Sequence, residues 1–394
     1  MIGDEFICWD EEGKSCSALW HSENGIRAHK RVRLVDDTMT ADQAYRFACE
    51  GTALLWRGDF QNARQLLQAL KRRIDKPSKK SKRLDKRLEI SGNPQKSPLD
   101  LFNQHRLKQS QRARLLGMLL IQCNQDHTIA LKRAPDVTLA CLEAYGSASE
   151  SYVISLRELL GVISAHEWRK HGLPVLTDGS GDPVIIHPHY GVFSPIRGEY
   201  LELVCNAPLP SALKTKSIAF DIGVGTGVLS VILAMRGLQK VIATDVDERA
   251  LICATENIQR LNLHHQVETM KVNLFPEGKA ALVLCNPPWL PARPSSRLEH
   301  AVYDPDSHML RGFLGDLKNH LVDHGEGWLI LSDLAEHLGL RTRKELLDWI
   351  KEAGLTILGR IDTKPKHSKA FDEADPLYFA RSAETTSLWR LGIP

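Results

Sequence analysis

The chain has 394 residues, of which 43% are hydrophobic and 25% are charged, and its formal net charge is +3. A single domain typically holds about 150 residues, so two domains, or one large domain with an attached module, are expected. The composition excludes a disordered, collagen-like or polytopic membrane protein. The longest apolar runs are far shorter than the ~20 residues that cross a bilayer, so we expect no membrane partner. Eight cysteines without a Cys-x-x-Cys pair indicate a cytoplasmic protein with reduced thiols, and no metal site is evident.

The first region, residues 1–172, is predicted to be a mainly helical domain that follows a short β meander over residues 5–36. Apolar residues recur at helical spacing in three stretches: 40–73, 99–122 and 151–170. A basic loop at residues 71–89 interrupts them. Positions 71 to 87 contain ten Lys or Arg residues but only two Asp residues. Such a block is predicted either to contact phosphates or to be a solvated linker.

The remaining chain has a different pattern. Residues 173–190 contain two short apolar segments around a Gly-rich turn, which predicts a β-hairpin connector. From about residue 214 onward, strand-like and helix-like segments alternate, and this alternation is typical of a mostly parallel sheet with helices on both faces. The sequence therefore predicts an α/β fold for the third region, residues 191–394.

A glycine-rich turn lies between the first strand and the first helix of that region. Gly223, Gly225 and Gly227 permit a tight turn and a close approach of the backbone to a ligand, and Asp221 precedes them at the strand end. A carboxylate there would repel a pyrophosphate but suits an ammonium group, such as that of the methionine part of S-adenosylmethionine. These four residues are candidate cofactor ligands, with an ordinary glycine-rich turn as the alternative.

The next predicted strand ends in an acid, Asp245. A carboxylate at this position can accept hydrogen bonds from two ribose hydroxyls, and it argues against a ligand with a 2′-phosphate. A solvated acid at a strand end is the alternative, but the register with Asp221 and the glycines favours a cofactor contact.

The most specific motif is Asn286-Pro287-Pro288-Trp289, which follows a fully apolar predicted strand. Consecutive prolines fix the backbone, so the Asn286 side-chain oxygen and the Pro287 carbonyl can accept the two N–H groups of a planar amino group. Trp289 offers a face on which a base or an amide can stack. We therefore predict a catalytic role for Asn286, Pro287 and Trp289.

These motifs, in this order, resemble those of class I S-adenosylmethionine-dependent methyltransferases of the "small domain" type. That group includes release-factor glutamine methyltransferases and ribosomal-RNA guanine-N2 methyltransferases, and the resemblance covers residues 191–394. It implies a seven-stranded Rossmann-like sheet, mostly parallel with an antiparallel last strand, and a substrate-recognition role for residues 1–172. It also implies that Asn273 and Leu274, at the end of the third strand, lie near the adenine.

The segment before the fold supplies the predicted wall of the substrate pocket, which consists of Phe193, Arg197 and Glu199 together with Pro288. The glutamine enzymes carry a Pro-Arg-Pro-Glu-Thr-like segment where this chain has residues 195–200, and they favour Tyr where Trp289 stands. These departures leave the substrate open.

The sequence therefore predicts an S-adenosylmethionine-dependent N-methyltransferase that acts on a planar amino group. An exocyclic base amine of ribosomal or transfer RNA is the leading substrate, because of the basic loop and Trp289. A protein glutamine N5-methyltransferase is the main alternative, and a small-molecule methyltransferase or a non-catalytic cofactor-binding protein is a weaker one. The expected partners are RNA or the ribosome, or else a protein.

Overall fold

The computed structural model describes residues 5–76, 97–177, 179–195, 198–296, 298–366 and 368–394. The chain divides into two compact units. The first comprises Met1–Lys96 and Asn103–Glu167, and the second comprises Ser97–Phe102 and Trp168–Pro394. Each unit is built around its own β-sheet.

The first unit contains a mixed six-stranded sheet with the strand order β1-β2-β6-β5-β4-β3. Its strands are β1 (Phe6–Glu11), β2 (Lys14–His21), β3 (Val32–Val35), β4 (Ala53–Trp56), β5 (Leu119–Cys123) and β6 (Tyr152–Ser155). The pairs β1–β2 and β5–β6 are antiparallel, and the other three pairs are parallel.

Among the described residues, five helices accompany this sheet: α1 (Ala41–Cys49), α2 (Phe60–Asp75), α3 (Pro98–Leu116), α4 (Thr138–Tyr145) and α5 (Leu156–His171). The first turn of α3 and the last turn of α5 belong to the second unit. Thr40 caps α1 through a capping box with Gln43, which satisfies two backbone donors at the start of the helix. Most of the predicted basic loop, residues 77–89, lies outside the described residues, and of its described part Arg73 pairs with Asp42 at 2.7 Å.

The prediction of a mainly helical first region is wrong in one respect, because its helices accompany a sheet. Strands β4 and β6 lie inside two of the three stretches with helical spacing, and β5 lies in the third except for its last residue, Cys123. Each is a run of four or five residues, and most of those residues are buried. A short, continuously apolar strand has no period of its own, so its pattern cannot be distinguished from that of a buried helix.

The second unit begins with the hairpin β7 (Leu173–Thr177) and β8 (Pro183–Ile186), whose strands are antiparallel. The predicted hairpin is therefore present, but it belongs to the second unit and does not form a separate connector. Val184 and Ile186 are buried in an apolar cluster with residues of the large sheet. This packing fixes the segment that leads into the site.

The second sheet has seven strands in the order β11-β10-β9-β12-β13-β15-β14. They are β9 (Ile218–Ile222), β10 (Lys240–Asp245), β11 (Val267–Lys271), β12 (Ala280–Cys285), β13 (Leu321–Ser332), β14 (Thr356–Thr363) and β15 (Thr386–Gly392). Strands β9 to β13 are parallel, and β15 runs antiparallel to both of its neighbours. The strand order reverses between β9 and β12, which leaves a crevice at their carboxyl ends, where ligands of such sheets bind.

The described part of the second unit also has seven helices: α6 (Glu199–Asn206), α7 (Val228–Met235), α8 (Glu248–Arg260), α9 (His308–His320), α10 (Leu334–His337), α11 (Arg343–Glu352) and α12 (Tyr378–Ala383). Helices α6, α7 and α8 bury apolar side chains on one face of the sheet, and α9 and α11 do so on the other. Short 3-10 turns occur at Ser211–Lys214, Leu298–Ala301, Pro305–Ser307 and Ser368–Phe371. In the part of the chain that is described, no helix has the length and apolar character of a membrane span.

Candidate functional site

The glycine-rich turn joins β9 to α7 at the carboxyl edge of the second sheet. Gly223, Gly225 and Gly227 have positive φ values of 80°, 53° and 84°. The backbone amides of Gly223 and Val224 donate to the Thr244 carbonyl at 2.9 and 2.8 Å, which fastens the turn to the end of β10. A side chain at any of the three glycines would be strained, so the turn depends on glycine.

Asp221 lies beneath this turn and is fully buried. Its Oδ2 accepts a hydrogen bond from the Ser230 hydroxyl at 2.6 Å, whereas its Oδ1 is buried without a donor. Burial raises the pKa of Asp221 to about 6, and the charge of Asp245 adds to that rise, while Ser230 opposes it. A buried carboxylate oxygen without a donor is costly, so this site is incomplete without a positively charged or hydrogen-donating ligand.

Asp245 ends β10 and is partly buried. Its Oδ2 accepts the Gly225 amide at 3.2 Å and its Oδ1 accepts the Asp247 amide at 2.9 Å. Burial raises the pKa of Asp245 as well. The two acids thus lie on adjacent strands on either side of the glycine turn, as the sequence predicts.

Asn273 and Leu274 follow β11 and come to the same edge. Asn273 is exposed. Leu274 has a positive φ of 62°, and its carbonyl accepts the Thr244 hydroxyl at 2.6 Å. Thr244 therefore links the end of β11 to the end of β10, a role that no sequence pattern indicates.

The Asn286-Pro287-Pro288-Trp289 corner follows β12, whose residue Cys285 pairs with Ile222 of β9. Asn286 therefore leaves the sheet at the level of the glycine turn. The Trp289 indole N–H donates to the Asn286 Oδ1 at 2.9 Å, and the partly buried indole packs against the apolar clusters of both faces of the sheet. This bond fixes the amide and leaves Oδ1 one further lone pair for a ligand.

The predicted wall residues are not all at one place. Glu199 is buried at the start of α6, and Phe193 is 37% exposed. Val192 packs with Ala250 and Cys253, which brings its segment to α8 on the Asp245 side. Pro288 is partly buried in the corner itself, and Arg197 lies outside the described residues.

Other residues of this edge were missed by the sequence analysis. Ser230 could have been found, because it lies in the first turn of the helix that begins at the glycine turn. Asp304 is buried and accepts the amides of Met309 and Leu310 at 3.0 and 3.1 Å, at the start of α9. Such a local role is invisible in the sequence, since Asp304 lies before a 3-10 turn and not directly before the helix.

The residues of this edge fit S-adenosylmethionine. The open Asp221 Oδ1 suits an ammonium group, Asp245 suits a ribose diol, and a Cβ at Gly225 would meet no atom within 4 Å, so space is open above the turn. Among the described residues, no group of three or more His, Cys, Asp or Glu side chains could hold a metal ion.

The comparisons with known proteins agree with this geometry. Residues 203–287, which include the glycine turn and the start of the Asn-Pro-Pro-Trp corner, match the sequence profile of the ribosomal protein L11 methyltransferase (PrmA) family. The second unit is a class I S-adenosylmethionine-dependent methyltransferase domain. Its cofactor is S-adenosylmethionine.

Two relatives are similar to this methyltransferase domain. A ribosomal protein L11 methyltransferase of Caldanaerobacter subterraneus subsp. tengcongensis is 29% identical over 140 residues, which are 31% of this chain and 44% of that protein. A protein N5-glutamine methyltransferase homologue of Methanocaldococcus jannaschii is 27% identical over 153 residues, 37% of this chain and 73% of that protein. The chain thus spans less than half of the first relative's length.

A solved structure, the ribosomal protein L11 methylase of Lactobacillus delbrueckii subsp. bulgaricus, aligns with 50% of this chain and 78% of that one. The identity is 17% and the TM-score is 0.33. This degree of similarity says nothing about the substrate of the methyltransferase domain.

Proposed function

We propose that this chain is an S-adenosylmethionine-dependent N-methyltransferase of the "small domain" type, which transfers a methyl group to a planar amino group. The observation that carries the proposal is the Asn286 side-chain oxygen, held by Trp289 at 2.9 Å on the strand next to the one that ends in Asp221. A cofactor site and a hydrogen-bond acceptor thus share one edge of the sheet.

The roles of the residues follow from their chemistry. Bound S-adenosylmethionine supplies an electrophilic methyl group. Asp221 would hold the ammonium group and Asp245 the ribose hydroxyls, while Asn273 and Leu274 would line the adenine side. Gly225, where a Cβ would meet no atom within 4 Å, would leave room for the ligand, and Gly223 and Gly227 would complete the turn that holds it.

Asn286 and Pro287 would act on the methyl acceptor. The lone pair of a planar amino group is delocalised, which makes it a weak nucleophile. Two acceptors aimed at its N–H groups favour a pyramidal nitrogen as positive charge develops, and their effect is largest in the transition state. Positioning of the amino group supplies much of the remaining rate enhancement.

The substrate class that we propose is the carboxamide of a protein glutamine side chain. The names of the two relatives support this choice, since both denote methyltransferases that act on proteins. Of the sequence-based alternatives, this one replaces the RNA base amine as the leading substrate. Residues 1–172 would then help to recognise the protein substrate.

An RNA base amine is the second candidate, and the basic block at positions 71–87 favours it. If that block contacts phosphates, RNA binding should weaken steeply with salt, and neutralising the lysines and arginines at positions 79–87 should flatten the slope of log K against log [salt]. If neutralising these lysines and arginines does not change RNA binding, the basic block does not support an RNA substrate.

A labelling experiment tests the proposal. The full-length protein is incubated with methyl-labelled S-adenosylmethionine and with separate protein and RNA fractions of an extract from cells that lack the gene. We expect label in the protein fraction, at a glutamine side chain. Label in RNA would favour the second candidate, and label in neither fraction would contradict both.

Replacement of the acceptor tests the mechanism. Asn286→Ala should reduce methylation at least 100-fold, because the orienting oxygen is lost, while calorimetry should show nearly unchanged affinity for S-adenosylmethionine. Asn319→Ala is the matched control, since Asn319 is exposed on α9 and its side-chain amide donates to Asp316 one turn away. An equal loss of cofactor affinity in Asn286→Ala would contradict the assigned role.

A further inference from the structure

A buried arginine, Arg341, lies between α10 and α11, beyond the carboxyl end of β13. Arg341 is only 3% exposed. Both Nε and Nη2 are buried and have no hydrogen-bond acceptor. A buried guanidinium whose donors have no acceptor is strongly unfavourable. We therefore expect a ligand that accepts hydrogen bonds from Arg341.

The acidic residues around Arg341 do not supply that partner, since no carboxylate of the described residues lies within ion-pair distance of it. Burial lowers the pKa of Arg341, and the acids that oppose this effect are Glu336, Glu345 and Asp304. Each of these carboxylates accepts other donors: Glu336 from Arg343 at 2.9 Å, Glu345 from the Thr342 amide at 2.7 Å and Asp304 from the Met309 amide at 3.0 Å.

Arg341 is close to the segment that leaves the Asn-Pro-Pro-Trp corner. The preceding residue, Leu340, packs in an apolar cluster with Leu290 and Tyr303. Leu290 comes directly after Trp289, and its carbonyl accepts the Asp304 amide at 2.8 Å. The loops after β12 and β13 therefore pack together on the acceptor side of the site.

The charge of Asp304 supports this placement. Burial raises the pKa of the Cys285 thiol, and Asp221 and Asp304 raise it further. Asp304 thus lies within electrostatic reach both of Arg341 and of the residue that precedes Asn286. Arg341 accordingly lies next to the loop that follows the Asn-Pro-Pro-Trp corner, where Leu340 packs in one cluster with Leu290 and Tyr303.

We propose that Arg341 binds a carboxylate of the substrate, namely an acidic residue near the carboxamide that is methylated. This inference rests on the proposed function. Nε and Nη2 lie on one edge of the guanidinium, and that edge can donate to both oxygens of a carboxylate at once. A single carboxylate has two oxygens at the spacing of that edge, and its one negative charge would balance one guanidinium.

Anion binding tests the inference without any methyl transfer. The melting temperature of the full-length protein is measured in sodium acetate, in inorganic phosphate and in chloride at equal ionic strength. We expect acetate to raise it saturably, by about 2 °C, and Arg341→Met to abolish that rise. Arg341→Lys keeps the charge but loses the planar edge, so it should retain only part of the rise. A larger response to phosphate, or an acetate response that survives in Arg341→Met, would overturn the inference.

The stability of the free protein provides the second readout. Arg341→Met removes an unpaired buried charge, so its melting temperature without acetate should be higher than that of the native protein. Arg343→Met is the matched control, because it removes a neighbouring arginine that is paired with Glu336 and should not stabilise. A loss of stability in Arg341→Met, or a tenfold loss of affinity for S-adenosylmethionine, would contradict a substrate role.

These readouts are independent of the proposed reaction. If acetate binds through Arg341 while no glutamine is methylated, the proposed function fails and the anion site stands. If glutamine methylation is found while Arg341→Met neither stabilises the protein nor changes its acetate response, the anion site fails and the proposed function stands.

Discussion

Asp221 is the residue whose chemistry depends most on its surroundings. It combines full burial, one hydrogen bond from Ser230 and one oxygen without a donor. An ionised carboxylate in that environment is unfavourable until a cation approaches it. An ionised Asp221 therefore destabilises the free protein and favours binding of the cofactor's ammonium group.

The raised pKa of Asp221 predicts how the affinity for the cofactor depends on pH. Since burial raises the pKa of Asp221 to about 6, the free protein holds a proton there below pH 6. That proton has to leave before an ammonium group binds, so affinity for S-adenosylmethionine should be constant near pH 7 and fall about tenfold per pH unit below 6. Calorimetric titrations with S-adenosylmethionine between pH 5 and 7 measure this change in affinity.

The control for this prediction is Asp221→Asn, which cannot ionise. Its affinity should be lower at pH 7 and should lose most of the pH dependence. A native profile that is flat through pH 6 would show that Asp221 is ionised in the free protein, and the explanation would fail.

At the scale of elements, the glycine turn is fixed by helix packing as well as by its φ angles. A Cβ on Gly227 would lie 3.2 Å from the Cα of Ala254 on α8, whereas one on Gly225 would meet nothing within 4 Å. Gly227 thus allows α7 and α8 to approach each other, and Gly225 leaves the space in which the ligand is expected.

Two alanine variants separate these roles. Gly227→Ala should lower the free energy of unfolding by about 3 kcal/mol, because an unfavourable φ and a backbone clash add together. Gly225→Ala should cost only about 1 kcal/mol but should weaken cofactor binding. Urea denaturation and calorimetry measure the two effects, and equal destabilisation by both variants would refute the packing argument.

The secondary-structure elements differ in how well they could be predicted from the sequence. Asp221 and Asp245 lie at the ends of their strands, and Asn286 directly follows one, so the positions of these proposed site residues could be predicted from local patterns alone. The sheet of the first unit could not, because β4 and β5 are short apolar runs without alternation. Arg341 could not be predicted either, since the absence of a partner is a property of the folded chain and not of its neighbours in sequence.

At the scale of the whole molecule, the two units have separate sheets, and the similarity to the L11 methyltransferase family lies within the second unit. All the cofactor residues that we propose belong to that unit as well. A ligand that binds only the native state stabilises the cooperative unit that contains its site. The effect of cofactor on local stability should therefore be uneven along the chain.

Hydrogen exchange on the intact protein measures this directly. Saturating S-adenosylmethionine should slow amide exchange several-fold in the turn after β9 and at the carboxyl ends of β10 and β11, and it should leave β3, β4 and β5 of the first unit unchanged. Asp221→Asn serves as the control and should show little protection at the same cofactor concentration. Equal protection of β3 to β5 would mean that the units respond together, and that the first unit takes part in cofactor binding.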